Sequence, residues 1–258
     1  MEIKILAVGD VVGSAGLRFL EKKLRPLKKE QGADFCIVNG ENASMTGITP
    51  GQAEEIFAAG ADVITLGNHV FNRREIVPYL EDSDYVLRPE NLSPQLPGSG
   101  FRRYETSKGP ITLLNLVGRC NMDFAPQNPF LLAEKLLKEV TDPVVLVEIH
   151  AEASSEKLAM AYMLDGKVSA VYGTHNHVAT ADEEILPGGT AHITDVGMTG
   201  PAHSVLGIRP EQSIALFRGD LTSRYEQAPG PCRLDAALFT VDTLSGKALD
   251  VRRIRVSE

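Results

Sequence analysis

The chain has 258 residues, enough for a large α/β core. Its formal charge is −8, from 26 basic and 34 acidic residues. That balance favours solubility and argues against tight, non-specific binding of duplex nucleic acid. Cys36, Cys120 and Cys232 are widely separated, so neither a disulfide framework nor a thiolate zinc site is expected. No apolar run approaches the roughly 20 residues that span a bilayer. The apolar start meets Asp10 too early for a signal peptide, and the expectation is a cytoplasmic protein with reduced core thiols.

Ile3 to Gly9 reads as a buried strand that ends at a glycine. After the turn GDVVGSAG, Leu17, Leu20, Leu24 and Leu27 predict a helix to Glu30, weakened in its second half by Pro26. Phe35 to Val38 is a second strand, ending in NGEN. Thr49 is placed as an N-cap with Pro50 at the first helical position, and Gly60 ends that helix. Val63 to Leu66 is a strand ending in GNHVFN. Arg73 to Leu80 is a short helix, and Tyr85 to Leu87 a further strand.

The middle of the chain has a different texture. Gly100 to Val117 reads as a hairpin around SKGP. Leu131 to Val140 is an amphipathic helix, and Val144 to Ile149 a strongly apolar strand ending at His150. Ser154 to Leu164 is helical, with Ser154 or Ser155 as cap. Val168 to Tyr172 is the strand that delivers THNH. Short runs flank PGGT, GMTGP is a glycine-rich loop, and Pro210 to Phe217 is a short helix. Leu234 to Asp242 and Leu249 to Val256 alternate around LSGK as an antiparallel hairpin. Crossover units followed by hairpins suggest a mixed sheet or two packed sheets with helices outside. No linker separates the halves, so residues 1–258 are expected to form one domain.

The strand ends carry the chemistry. They stop at Asp10, at Glu41 and Asn42, at Asn68 and His69, at His150, and at His175 and His177. In open α/β sheets ligands gather at the carboxyl ends of strands. Oxygen and imidazole donors without thiolate suit iron, manganese or zinc and disfavour a structural zinc site. The set exceeds one tetrahedral shell, so two ions are expected, about 3.5–4 Å apart if they clamp a phosphoryl group. Singly, each residue has a plainer reading. Asp10 suits a helix cap, Glu41 and Asn42 a solvated turn, Asn68 a left-handed turn position, and a lone His69 or His150 a structural histidine. Only their joint order on strand ends points to a site. GMTGP reads equally as a phosphate-facing backbone or a tight turn, with His203 beside it as a candidate substrate contact and His192 as structural.

In order, the chain has GDVVG, GEN, GNHV, IH and THNH. This series resembles the calcineurin-like metallophosphoesterase superfamily, whose pattern is GD-x-H, GD-x-x-D, GNHE, a single His and GH-x-H. There are departures. Val12 stands where a histidine ligand is expected, Glu41 replaces the bridging aspartate and is followed by Asn42, and GNHE becomes GNHV. With ITDVGMTGPAHSVLG, these departures are similar to the YmdB-like branch of bacterial phosphodiesterases over essentially the full length.

The resemblance implies an α/β fold, a four-layer α/β/β/α sandwich of two mixed sheets with outer helices. It implies that Asp10, Glu41, Asn42 and His177 bind a first metal, that Glu41 bridges, and that Asn68, His150 and His175 complete a second. Asn42 then replaces the ligand lost at Val12, and His69 is the proton donor to the leaving oxygen. The implied centre is di-iron, with manganese or zinc as alternatives. The implied activity is hydrolysis of small phosphodiesters, cyclic nucleotides such as 2′,3′-cyclic AMP among them, by a metal-bridging hydroxide. A phosphomonoesterase or nuclease with the same metals, or a nucleotide sensor without turnover, are the alternatives. A homo-oligomer is left open.

Overall fold

A computed structural model describes residues 1–122, 127–221 and 224–258. The strand β1 (Glu2–Val8) is followed by a two-residue strand β2 (Asp10–Val11) and helix α1 (Gly13–Gln31). Then come β3 (Phe35–Asn39), α2 (Pro50–Ala59), β4 (Val63–Thr65), α3 (Ile76–Asp82) and β5 (Val86–Leu87). The middle supplies β6 (Phe101–Thr106), β7 (Gly109–Val117), α4 (Pro129–Leu137), β8 (Val144–His150), α5 (Ser154–Leu164) and β9 (Ala170–Thr174). The last third supplies β10 (Glu184–Ile185), β11 (Ala191–Ile193), β12 (Met198–Pro201), α6 (Pro210–Phe217), β13 (Cys232–Asp242) and β14 (Ala248–Ser257).

These strands form two mixed sheets. In the first, β1, β3, β4 and β5 are parallel neighbours. β13 runs antiparallel to β1 and β12, which follow one another along its edge, and β14 pairs with its other edge. In the second, β7, β8, β9 and β11 are parallel, with β6 and β10 antiparallel at the two ends. Three apolar layers hold the stack. Leu17, Leu20 and Leu24 of α1 and Ile56 of α2 pack on the first sheet. Ile5, Ile37, Leu113, Leu146, Tyr172 and Phe239 fill the space between the sheets. Met160 and Leu164 of α5 and Ala133 of α4 cover the outer face of the second sheet. The architecture is the four-layer α/β/β/α sandwich.

Local chemistry explains the boundaries. α1 runs unbroken through Pro26. A proline inside a helix costs about 3 kcal/mol, whereas each buried leucine or phenylalanine contributes roughly 1.5–3 kcal/mol. Leu17, Phe19, Leu20, Leu24 and Leu27 are all buried on that helix, so packing wins. Its start at Gly13, ahead of the expected Leu17, also follows from packing, because Gly16 lets the first turn approach Thr199 of β12. α2 has the expected cap: Thr49 accepts from Gln52 N, and Gln52 Oε1 accepts from Thr49 N at 3.1 Å. α5 begins at Ser154 itself, with Ala153 at the cap position and no side-chain cap bond.

Several expectations shift. α3 begins at Ile76 in place of Arg73 and runs to Asp82, and α4 spans Pro129–Leu137 in place of Leu131 to Val140. β9 lies two residues later than read from the sequence and includes Gly173 and Thr174, because its parallel ladder with β8 continues to the pair His150 and Thr174. GMTGP is neither a loop nor a tight turn. Met198–Pro201 is a buried strand between β2 and β13, and only Gly197 has positive φ, at 92°. The Met198–Pro201 backbone pairs with β2 and β13, Thr199 O accepting from Val12 N at 2.9 Å, while Pro201 O accepts from Ser204 Oγ at 2.7 Å. Among the described residues, no helix is long and apolar enough to cross a membrane.

Thr49→Ala is expected to lower the unfolding free energy by about 1 kcal/mol through loss of the cap. Urea denaturation checks this, as a lower midpoint at an unchanged slope.

Candidate metal centre

The two sheets point the carboxyl ends of β1, β3, β4, β8 and β9 the same way, and the motif residues meet above the layer between them. Asp10, Glu41, Asn42 and Asn68 come from the first sheet. His150, His175 and His177 come from the second. Asp10, Glu41 and His150 are fully buried, and Asn42, Asn68 and His177 nearly so.

Glu41 is the meeting point. Its Oε1 lies 3.0 Å from His150 Nε2, 3.3 Å from His69 Nδ1 and 3.1 Å from Asn42 Nδ2. Its Oε2 accepts from His69 N at 3.2 Å. Around His150 Nε2 stand Asn68 Oδ1 at 3.1 Å and His175 Nδ1 at 3.0 Å. One donor atom from each of Glu41, His150 and His175 falls within 4.8 Å of the others. A second group adjoins the first. His177 Nε2 is 3.6 Å from Asp10 Oδ1 and 3.1 Å from Asn42 Nδ2, and Asp10 Oδ2 accepts from His175 N at 3.2 Å. Gly67 makes room for this crowding, since a Cβ there would lie 2.2 Å from Glu41 Oε2 and 2.3 Å from His150 Nε2.

The electrostatics are those of a site built for a cation. Burial pushes the Asp10 carboxyl up, but the attraction of His177, whose Nε2 stands 3.6 Å from Oδ1 and beyond hydrogen-bond reach, outweighs it, and Asp10 titrates below its ordinary value. Glu41 is likewise driven up by burial and pulled well down by His150 and His69. Burial alone would lower His150, yet Glu41 raises it to about 9. His175 goes the other way, to about 4, through burial and the charge on His150. The buried carboxylates of Asp10 and Glu41 are held ionised by the imidazoles around them, a charge balance that a bound cation would equally supply. Asp10 Oδ1 is buried and has no hydrogen-bond partner. A buried carboxylate oxygen left bare is costly unless an ion faces it. The donor set thus fits a metal.

Residues beyond the candidate ligands support it. His150 Nδ1 is 2.9 Å from Thr174 Oγ1, which donates to Glu148 Oε1 at 2.9 Å. Glu148, fully buried, also accepts from Asn39 Nδ2 and Tyr172 Oη. Asn39 in turn accepts from Glu41 N through Oδ1 at 3.1 Å. Glu148 thereby ties His150 of one sheet to Glu41 of the other. The sequence reading missed it, although an acid inside the otherwise apolar VLVEIH is a visible signal. His175 Nε2 is 3.1 Å from Glu152 Oε2, which leaves Nδ1 facing the cluster.

A cavity of about 310 Å³ opens over these residues. Its polar side is Asn42, His69, Glu152, His175, Asn176 and His177. Its apolar side is Val12, Met45, Leu206 and Ile208. His69 sits at its edge, with Nδ1 2.9 Å from Asn42 Oδ1. His203 is exposed and does not line the cavity, and His192 is buried, with Nδ1 2.9 Å from Val171 O. Larger depressions near Tyr79 and Tyr85 and near Arg25 and Lys28 lie away from the cluster.

Residues 6–254 match the family model of YmdB-like proteins. The chain belongs to the YmdB-like protein family. A Bacillus subtilis relative named 2′,3′-cyclic-nucleotide 2′-phosphodiesterase is 39% identical, covering 99% of this chain and 98% of its own. The crystal structure of a Mycoplasma pneumoniae phosphatase superposes with a TM-score of 0.95 at 35% identity, over 100% of this chain and 94% of that one. A hypothetical protein from Thermus thermophilus superposes with a TM-score of 0.92 at 38% identity, over 99% of this chain and 100% of that one. The two-sheet YmdB-like fold is the metallophosphoesterase sandwich, and the Val12 departure has a visible result here. Val12 is 2% exposed and closes one wall, where its Cγ1 would lie 2.4 Å from a Cβ on Gly207.

Gly67→Ala is expected to push Glu41 and His150 apart while leaving the sheets intact. The check is an unchanged far-UV circular dichroism spectrum together with displaced His150 ring resonances.

Proposed function

We propose that the protein is a phosphodiesterase that uses a dinuclear metal centre, with iron as the resident metal, on small phosphodiesters such as 2′,3′-cyclic AMP. The observation that carries this reading is the convergence of Glu41, His150 and His175 beside the bare Asp10 Oδ1. The name of the Bacillus subtilis relative supports the substrate class. A cavity of about 310 Å³ suits a small molecule.

In this reading Asp10, Asn42 and His177 hold one ion, Asn68, His150 and His175 the other, and Glu41 is shared. The grouping follows the distances: His177 stands with Asp10 and Asn42, His150 with Asn68 and His175, and Glu41 touches both sets. Here Asn42 Oδ1 faces His69 Nδ1 and Nδ2 faces Glu41 and His177, so ligation through Oδ1 would require the amide to turn, and His69 would then keep Glu41 Oε1 as its Nδ1 partner. Oxygen and imidazole donors without thiolate suit iron, manganese or zinc. When bound, the metals supply an activated water and neutralise charge on the phosphoryl oxygens.

The chain's own residues do the rest. His69, held through Nδ1 by Asn42 and Glu41, keeps its other ring nitrogen for the proton that the leaving oxygen needs. Glu148 and Thr174 fix the tautomer and direction of His150. The wall of Val12, Met45, Leu206 and Ile208 excludes water from the organic part of the ester.

His69→Ala is expected to keep its metal and lose about 10²–10⁴-fold in turnover, whereas Glu41→Ala loses metal. Metal analysis of the two variants, with kinetics on 2′,3′-cyclic AMP, bis(p-nitrophenyl) phosphate and the monoester, checks this. Unchanged metal content in Glu41→Ala would defeat the shared-ligand assignment. Turnover of the monoester alone would replace a diesterase with a monoesterase, and nucleotide binding without turnover would replace the enzyme with a sensor.

A further inference from the structure

His175 and His177 both have positive φ, 98° and 60°. Such backbone is unfavourable for a residue with a side chain, and it persists only where the surroundings impose it. Among the described residues, three further non-glycine positions share this feature: Met45, Asn121 and Leu206. The two histidines are therefore held in a strained turn, and something must hold it.

The restraint comes from below, through the buried pair Lys157 and Asp195. Both side chains are 0% exposed, and Lys157 Nζ donates to Asp195 Oδ2 at 2.7 Å. Lys157 belongs to α5, on the outer face of the second sheet. Its stem crosses β9 at Gly173, where a Cβ would lie 2.6 Å from Lys157 Cδ. The same pair grips the residue between the histidines. Lys157 Nζ donates to Asn176 Oδ1 at 2.6 Å, and Asn176 N donates to Asp195 Oδ2 at 3.0 Å. Asp195 Oδ1 accepts from Gly197 N at 2.9 Å, which anchors the aspartate at the start of β12. Burial raises the Asp195 carboxyl, and Lys157 pulls it back.

We propose that the Lys157–Asp195 pair is the positioning device of the His175–Asn176–His177 turn, clamping Asn176 by side chain and backbone so that both imidazoles face Asp10 and Glu41. The physical reason is the high cost of burying two charges, which hydrophobic residues of the same volume would avoid. A pair retained merely for packing would not need to reach Asn176 twice. The clamp acts on the turn whether or not metal is present, and it bears on metal affinity only through the metal centre proposed above. Glu152 adds a weaker hold from the solvent side, since its backbone O accepts from Asn176 Nδ2 at 3.2 Å.

The test uses the full chain and three variants: Lys157→Met, Lys157→Met with Asp195→Asn, and Asn176→Ala. The measurements are the melting temperature, amide hydrogen exchange at Asn176 and His177, and calorimetric titration with manganese(II) alone. Lys157→Met leaves a buried unpaired carboxylate, and its melting temperature is expected to fall by roughly 10 °C. The double variant removes that charge and regains most of the loss. It is nevertheless expected to exchange its turn amides faster and to bind manganese about 10–100-fold more weakly. Asn176→Ala, which keeps the Lys157–Asp195 pair and the backbone bond to Asp195 but removes the side-chain grip, is expected to show the same two effects should the lysine variants fail to fold. Wild-type exchange and manganese affinity in the folded double variant, or in Asn176→Ala, would overturn the proposal. Faster turn exchange in a protein whose parent binds no manganese would uphold the clamp and remove the metal reading instead.

Discussion

A carboxylate buried between two sheets sets the terms for this molecule. Glu41 is wholly removed from water, and isolating such a charge costs several kcal/mol unless donors surround it. The donors arrive from both sheets. Asn42, His69 and the His69 backbone come from the first, and His150 from the second. This arrangement requires β3 and β4 to end at the same height as β8, and it requires Gly67 to carry no side chain where carboxylate and imidazole pass. The orientation of the two sheets is thus coupled to the ionisation of one residue.

A second buried carboxylate works one layer beneath. Glu148 accepts from Asn39 across the sheets and from Thr174 and Tyr172 within its own. Asn39 and Thr174 then fix Glu41 and His150, so the two acids form a continuous polar seam through an otherwise apolar interface. Fully satisfied networks of this kind rigidify what they join. The cavity above is made differently. Its walls at Met45 and Leu206 and its histidine turn have positive φ, which places four of the five described non-glycine residues with such backbone, all but Asn121, beside the candidate centre.

Much of this was legible in the sequence. The apolar runs and their polar ends were visible as strings, because a buried strand has a continuous apolar signature and a ligand at its end interrupts it. The order of Asp10, Glu41, Asn42, Asn68, His69, His150, His175 and His177 was enough to expect them to meet. The partners of these residues were harder to see. Lys157 is an ordinary charged residue on a helix until its stem is found to pass Gly173. Asp195 is one acid among many until Asn176 and Gly197 are found against it. Thr174 reads only as the residue before His175 in THNH, yet it lies in β9 and orients His150. Met198–Pro201 looked like a loop because glycine and proline are turn formers. Its pairing with β13 depends on a strand that lies much further along the chain.

The sequence by itself determined most of the elements and the family, and it named the candidate donors, since these rest on local periodicity, on residue type and on the order of motifs along one chain. Only the tertiary structure decided which atoms meet: Glu41 with His150 across two sheets, Glu148 beneath both, and Lys157 threaded over β9 to the histidine turn. The physical reason is that a contact between distant residues depends on register and on the space that glycines leave open. Neither quantity is written in any short stretch of sequence.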